Sequence, residues 1–386
     1  IDESSDQAAG IFQIISVEGV KMEYTEKDLV KVAKRENNTK RNYLVVDPLQ
    51  GKHIPVLPSE ALSMFDALAE IIEKAYSGEK LLLIGFAETA TAIGAEAAIK
   101  LGAQYIQTTR EIVHGVSYLF FSESHSHATE QKLVRDDIDK LVGGVDRIIF
   151  IEDEVTTGNT ILNIVNIMED RYNEGKNDLS CNLKFSVASI LNGMSVDNLS
   201  LYEERGIKVH YLVKIDNSKF SEIADSYTAD GKYIVCDTTK KIEVKQYEFT
   251  GWINSRRVVD SKEYQEHCLK LWNDIHNEIS FESGSSVLVI GTEEFMYPAL
   301  FIGSCIEKIG CRVRSHSTTR SPIEVCRFKD SDTYPVHERY ELCSLYDDKR
   351  KNFIYDLDSY DKVLILTDSH YDGNNGVNSL VNALKK

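Results

Sequence analysis

The chain has 386 residues, with 44 Lys and Arg against 61 Asp and Glu for a net charge of −17, and it is 42% hydrophobic and 27% charged. That length exceeds the usual size of one hydrophobic core, so two domains are expected, and the composition suits a folded protein rather than a disordered one. The acidic balance argues against a general nucleic-acid binder, which needs a basic surface to displace counterions. No apolar run is long enough to span a bilayer, and no charged-then-apolar secretory leader stands at the start, which is Ile1. The seven cysteines are an odd number without a Cys-x-x-Cys. They fit free thiols in a reducing cytoplasm rather than a disulfide framework or a zinc site. The expectation is therefore a cytoplasmic protein with neither nucleic acid nor membrane as partner.

Residues 1–40 are polar and charged around one apolar stretch, Ile11–Val17, and read as an N-terminal appendage. Tyr43-Leu-Val-Val46 reads as a strand, and Ser59–Tyr76 as a helix capped by Ser59. Leu81–Ile84 is a buried strand ending at Gly85, followed by the Ala-rich helix Thr89–Leu101. Further strands are expected near Tyr105–Gln107 and Val116–Phe121. Ile148–Ile151 is the most apolar strand, and a helix follows over Thr160–Met168. Alternating strands and helices predict an α/β domain over 41–215, with a mainly parallel sheet and helices on both faces.

Residues 216–284 read as a linking region with a hairpin around Tyr233–Val244, and a second α/β domain follows over 285–386. The second domain echoes the first. Leu81–Gly85 matches Val287–Gly291, Thr108-Thr-Arg110 matches Thr318-Thr-Arg320, and Asp146–Asp153 matches Asp361–Asp368 without a gap. Gly158-Asn159 falls on Gly373-Asn374 at the offset of that last pair. The order and the polar matches favour a diverged duplication over the common run of strand-Gly-helix units.

The segment Ile148–Thr160 reads I-I-F-I-E-D-E-V-T-T-G-N-T, running from strand through turn to helix. In open α/β sheets ligands bind beyond the carboxyl ends of strands, where Glu152 and Asp153 are placed. The turn Thr156, Thr157, Gly158, Asn159 and Thr160 offers backbone N–H groups, hydroxyls and a helix N-terminus, with Gly158 allowing close approach of an anion. A ribose 5-phosphate satisfies both halves: the turn takes the phosphate, and the acids accept hydrogen bonds from the sugar hydroxyls.

This segment resembles the 5-phosphoribosyl-1-pyrophosphate (PRPP) signature of type I phosphoribosyltransferases, an apolar strand, two acids and a Thr-Thr-Gly turn. With the stretch from Arg41 through Asp47 to Gly51-Lys-His-Ile-Pro55, and with Thr319-Arg-Ser-Pro322, the chain resembles a narrower family. That family comprises the two-domain phosphoribosyltransferases with a C-terminal TRSP domain from bacterial tellurium-resistance (stress) operons. The resemblance runs from about residue 40 to the end. It implies transfer of phosphoribosyl from PRPP to a base-like small-molecule acceptor with release of pyrophosphate, for a nucleoside-like metabolite, and Mg²⁺ held mainly by the ligand. It also implies that Glu152 and Asp153 orient the ribose and stabilise charge developing at C1.

For pyrophosphate, the loop Gly85–Thr89 offers the amides of Phe86 and Ala87, and Arg110 offers a bidentate clamp; a surface ion pair is the alternative for Arg110. Glu88 is awkward in such a loop and is open to a role toward metal or acceptor. Lys52 and His53, between a Gly and a Pro, are candidates for part of a lid over the acceptor or for simple turn residues. His125 and His127, in a polar stretch from 111 to 135, are candidates for proton transfer or simple solvated loop residues. Trp252, Arg256 and Arg257 form a weaker candidate surface for a base. In the second domain Thr367 replaces Glu152 and Asp372 replaces Thr157, so this copy is not expected to be an equivalent site. Thr319, Arg320 and Ser321 are its ligand candidates, and a structural role is the other reading. A PRPP-binding regulator without catalysis, and a homodimeric assembly, also remain open.

Overall fold

Residues 81–85, 147–151 and 185–192 are buried throughout and pair in parallel within one sheet, as strands covered on both faces do. The computed structural model describes residues 23–36, 38, 41–121, 131–172, 182–327, 333–369 and 375–385. The first unit opens with α1 (Glu26–Leu29), β1 (Lys31–Lys34), β2 (Tyr43–Val46), α2 (Pro58–Tyr76) and β3 (Leu81–Gly85). It continues with α3 (Thr91–Leu101), β4 (Gln104–Gln107), β5 (Tyr118–Phe121), β6 (Gln131–Val134) and α4 (Arg135–Leu141). It closes with β7 (Arg147–Val155), α5 (Asn159–Tyr172), β8 (Lys184–Asn192), α6 (Val196–Glu204) and β9 (Lys208–Lys214).

The next elements are α7 (Phe220–Ser226), β10 (Lys232–Val235), β11 (Val259–Asp260) and α8 (Ser261–Glu278). The second unit adds β12 (Ser286–Gly291), α9 (Tyr297–Lys308), β13 (Arg312–Ser317), β14 (Glu338–Cys343), β15 (Lys351–Tyr355), β16 (Lys362–Leu366) and α10 (Asn375–Leu384).

The main sheet has the order β11-β4-β3-β7-β8-β9, in which only β11 runs antiparallel. The chain leaves β3 toward β4 on one side and returns to β7 on the other. The crevice between β3 and β7 is thus the topological switch point. α2 shows why these segments are helical: Ala61, Met64, Phe65, Leu68, Ala69, Ile72 and Tyr76 recur at helical spacing and form its buried face. The second unit repeats the pattern as a three-stranded parallel sheet, β13-β12-β16, beside a second three-stranded sheet, β10-β14-β15. Among the described residues, no helix is long and apolar enough to cross a membrane.

Several expectations change. Helix α2 starts at Pro58, with Leu57 as its cap residue, because proline's fixed φ suits a first helical position. Ser59 instead donates its N–H and hydroxyl to Glu307, at 3.0 and 2.7 Å. No hairpin forms around 233–244. β10 pairs in parallel with the distant β14, and no helix or strand lies between β10 and β11. Within the segment read as an appendage, β1 pairs antiparallel with β2 and buries Ala33. Within the 216–284 stretch, α7 packs on β1 and α8 on α3 and α9, while residues 236–258 carry no helix or strand.

Candidate active site

β7 outruns its neighbour. Its pairing with β3 ends at Gly85 and Ile151, while its pairing with β8 continues to Val155 and Asn192. The strand is buried through Ile151 and becomes accessible at Glu152, Asp153 and Glu154, so the acids project past β3 at the switch point. Glu154 is neutralised by Arg41, whose guanidinium donates to both carboxylate oxygens at 2.7 Å. Glu152 and Asp153 remain at the crevice. Burial, and then the charge of Glu154, raise Asp153, against hydrogen bonds from the Glu154 N–H and the Thr89 hydroxyl. That Thr89 contact ties the acids to the loop after β3.

The turn after β7 is built around Gly158, whose φ of 78° favours glycine. The Tyr202 hydroxyl donates to the Gly158 carbonyl at 2.6 Å, and the Leu162 N–H donates to the same oxygen at 3.0 Å. α5 begins at Asn159, whose N–H donates to Thr157 Oγ1 at 3.4 Å, and its N-terminus faces the same end of the sheet as the acids. Burial, and to a lesser degree the charge of Glu152, raise the Tyr202 phenol, which places that tyrosine beneath both halves of the segment.

Across the crevice, the loop after β3 differs from expectation in detail. The Phe86 N–H donates to the Ile151 carbonyl at 3.1 Å, and the Ala87 N–H to Thr108 Oγ1 at 2.8 Å. Those two amides are occupied in holding the loop. The Glu88 and Thr89 N–H groups donate to no described residue. The Ala87–Glu88 peptide is cis. The Glu88 side chain turns away from the crevice. Burial works against its charge, but Lys52 and Arg320 hold its carboxyl below the usual range. Arg110 lies close enough that its charge also acts on Glu88, beside the loop it was expected to serve.

Other candidates fall elsewhere. Lys52 is buried between the units, its ammonium paired with Glu88 and bonded to the carbonyls of Glu293 and Thr318 at 3.2 and 3.1 Å. His53 is buried beside it, and desolvation pushes it down to about 3, so it stays neutral at physiological pH. Neither forms an open lid, because the second unit covers their loop. His125 and His127 lie outside the described residues. Arg320 is paired with Glu293 and Glu111 as well as Glu88, Thr319 is buried in a backbone bridge to Phe353, and the Ser321 N–H bonds Thr319. All three thus belong to packed structure. Trp252 packs on Tyr264 and Phe295, and Arg257 pairs with Asp137.

In the second unit, Asp368 stands where Asp153 stands in the first. Arg256 pairs with it, and the Tyr346 hydroxyl donates to it at 2.5 Å. Asp372, Gly373 and Asn374 lie outside the described residues.

Sequence reasoning missed Asp47. It follows β2, is 7% exposed, and accepts the Leu49 N–H at 2.8 Å. Its loop meets the crevice through Gln50, which donates to the Thr89 carbonyl at 3.2 Å. Burial, then the charge of Asp153, raise Asp47 to about 7. An acid raised in the folded state loses stability as pH climbs from its unfolded value to its folded one. Asp47→Asn is therefore expected to match the parent in urea melts at pH 4 and to exceed it at pH 8 by roughly 1–3 kcal/mol. Equal gains at both pH values would mean that the charge carries no penalty there.

Residues 29–216 match the family described as phosphoribosyl transferase, and residues 257–384 match the TRSP domain that lies C-terminal to it. The two matches together are those of a phosphoribosyl transferase unit followed by a TRSP domain. Similar solved structures include adenine phosphoribosyltransferase from Rhodothermus marinus, at 15% identity over 49% of this chain and 96% of that one, with a TM-score of 0.35. The APRTase of Giardia lamblia complexed with 9-deazaadenine is 14% identical over 48% of this chain and 94% of that one, TM-score 0.33. The enzyme of Trypanosoma brucei in complex with AMP, pyrophosphate and ribose-5-phosphate is 15% identical over 49% of this chain and 77% of that one, TM-score 0.33. No curated protein matches the chain.

Proposed function

We propose that the first unit binds PRPP across the β3/β7 crevice and transfers its phosphoribosyl group to a base-like acceptor. The observation that carries this reading is the single stretch from Glu152 to Thr160, where two accessible acids lead directly into a glycine turn at a helix N-terminus. The turn residues Thr156 to Thr160 hold the 5-phosphate through backbone N–H groups and hydroxyls. Glu152 and Asp153 accept the ribose hydroxyls and stabilise positive charge as the bond from C1 to pyrophosphate breaks. The Glu88 and Thr89 amides, with Arg110, receive the pyrophosphate oxygens. These groups bind and orient; none of them attacks C1.

Among the described residues, no three His, Cys, Asp or Glu side chains stand together as a metal cage. Two carboxylates beside a phosphate site fit an ion such as Mg²⁺, whose remaining positions phosphate oxygens and water would fill. When bound, such an ion would neutralise charge on the leaving pyrophosphate. The test is calorimetric titration of the full chain with PRPP and Mg²⁺, followed by assay of pyrophosphate release across a panel of nitrogenous bases. Saturable binding with release by at least one base is expected. Absence of binding by folded protein would remove the reading, and binding without release by any base would leave a sensor.

A further inference from the structure

The two units repeat one another contact by contact. In the first, the Thr108 N–H donates to the Gly85 carbonyl at 2.9 Å, and Thr108 Oγ1 accepts from the Ala87 N–H at 2.8 Å. In the second, the Thr318 N–H donates to the Gly291 carbonyl at 3.0 Å, and Thr318 Oγ1 accepts from the Glu293 N–H at 3.0 Å. Thr109 bridges Lys132 as Thr319 bridges Phe353. The Lys80 N–H sits on Asp146 as the Ser286 N–H sits on Asp361. By this correspondence Glu88 is the counterpart of Glu294, and Arg110 of Arg320.

Contacts between the units are reciprocal too. Glu294 accepts the Arg110 N–H at 2.8 Å, and Glu88 accepts the Arg320 N–H at 3.4 Å. The open edge of β4 is covered by β11 and by Ser255, whose carbonyl accepts the Gln107 N–H at 2.8 Å. The open edge of β13 is covered by Val56, which exchanges two backbone bonds with Ser315 at 2.9 and 2.8 Å. The helices that follow these two arms cross over as well, α8 onto α3 and α2 onto α9. Such exchange of equivalent surfaces is what an isologous two-fold interface presents. Here both partners belong to one chain.

Glu294 is buried within this interface. One of its oxygens accepts the Arg110 N–H, and the other accepts the Thr109 hydroxyl at 2.7 Å and Arg256 Nε at 3.0 Å. It therefore grips the backbone and the neighbour of the arginine beside the pyrophosphate loop. We propose that the C-terminal unit stands where the second subunit of a two-fold dimer would stand, and that its Glu294 is a positioning residue for Arg110. The proposal rests on the assignment of Arg110 to pyrophosphate made above.

The test uses the full chain with Mg²⁺, and titrates two probes, inorganic pyrophosphate and ribose 5-phosphate. Glu294→Gln keeps one acceptor oxygen where two are needed, and is expected to weaken pyrophosphate binding about tenfold while leaving ribose 5-phosphate unchanged. Arg110→Ala is the companion variant. If it weakens pyrophosphate binding but Glu294→Gln does not, the positioning role is overturned while the site assignment stands. If neither changes pyrophosphate affinity, the Arg110 assignment falls, and the positioning role with it. Equal loss of both probes in Glu294→Gln would reveal a merely structural role and would also overturn the proposal. Should Glu294→Gln fail to fold, Thr109→Val removes the other end of the contact, and Thr109→Ser, which keeps the hydroxyl, restores the affinity.

Discussion

Asp153→Asn is expected to lower PRPP affinity about 10- to 100-fold while leaving the fold as stable as before, or more so. The loss follows from replacing a charged acceptor of a sugar hydroxyl by a neutral amide, since hydrogen bonds to charged groups contribute about 1.5–3 kcal/mol. The gain in stability follows from the same carboxylate's surroundings. Burial and the Glu154 charge raise Asp153 in the folded protein, so its ionised form opposes folding at pH values above that raised value. Asparagine removes that opposition, and its Oδ1 can still accept the Glu154 N–H and the Thr89 hydroxyl. Paired titration calorimetry and thermal melts at pH 7.5 check both halves. A parallel drop in affinity and melting temperature would mark Asp153 as a structural acid, and would remove it from the site. A residue that weakens the fold while serving a ligand is the expected signature of function.

Gly158→Val is expected to abolish ribose 5-phosphate binding and to destabilise the chain by about 2–4 kcal/mol. A Cβ at this position would lie 2.4 Å from the Tyr202 hydroxyl and 2.8 Å from two ring carbons. The backbone φ of 78° adds strain for any L side chain. Relief requires the whole tyrosine ring to move, which releases the carbonyl that its hydroxyl holds and opens the turn. Removing the hydroxyl alone with Tyr202→Phe in the Gly158→Val background therefore restores little. Urea melts and calorimetry with ribose 5-phosphate measure the two effects separately. Normal phosphate affinity in a folded Gly158→Val protein would move the cradle elsewhere.

The acid pair and its turn were legible because they form one contiguous stretch, in which strand, acids, glycine and helix each leave a local mark. The order of strands and helices in the first unit was legible for the same reason. That the Phe86 and Ala87 amides are occupied was not legible, because whether an N–H is free depends on the carbonyl or hydroxyl facing it. Ile151 in β7 and Thr108, just after β4, supply those partners. Lys52 and His53 read as lid candidates between a glycine and a proline, yet the second unit buries them. No local pattern announces that cover. Likewise, β10 carries strand composition without a local partner, because its partner β14 is distant in sequence. Asp47 showed only a lone acid after an apolar strand, and its proximity to Asp153 arises from folding.

The crossed arms have a consequence for synthesis at the ribosome. The edge of β4 is closed by Val259 and Asp260, and α3 receives α8, so neither surface is covered until those later residues have emerged. A nascent first half thus presents an unpaired strand edge and an apolar helix face, the pairing surface that leads other chains to aggregate. The same exposure would accompany any truncation placed before residue 255, so the transferase unit and its C-terminal companion are best regarded as one cooperative folding partnership.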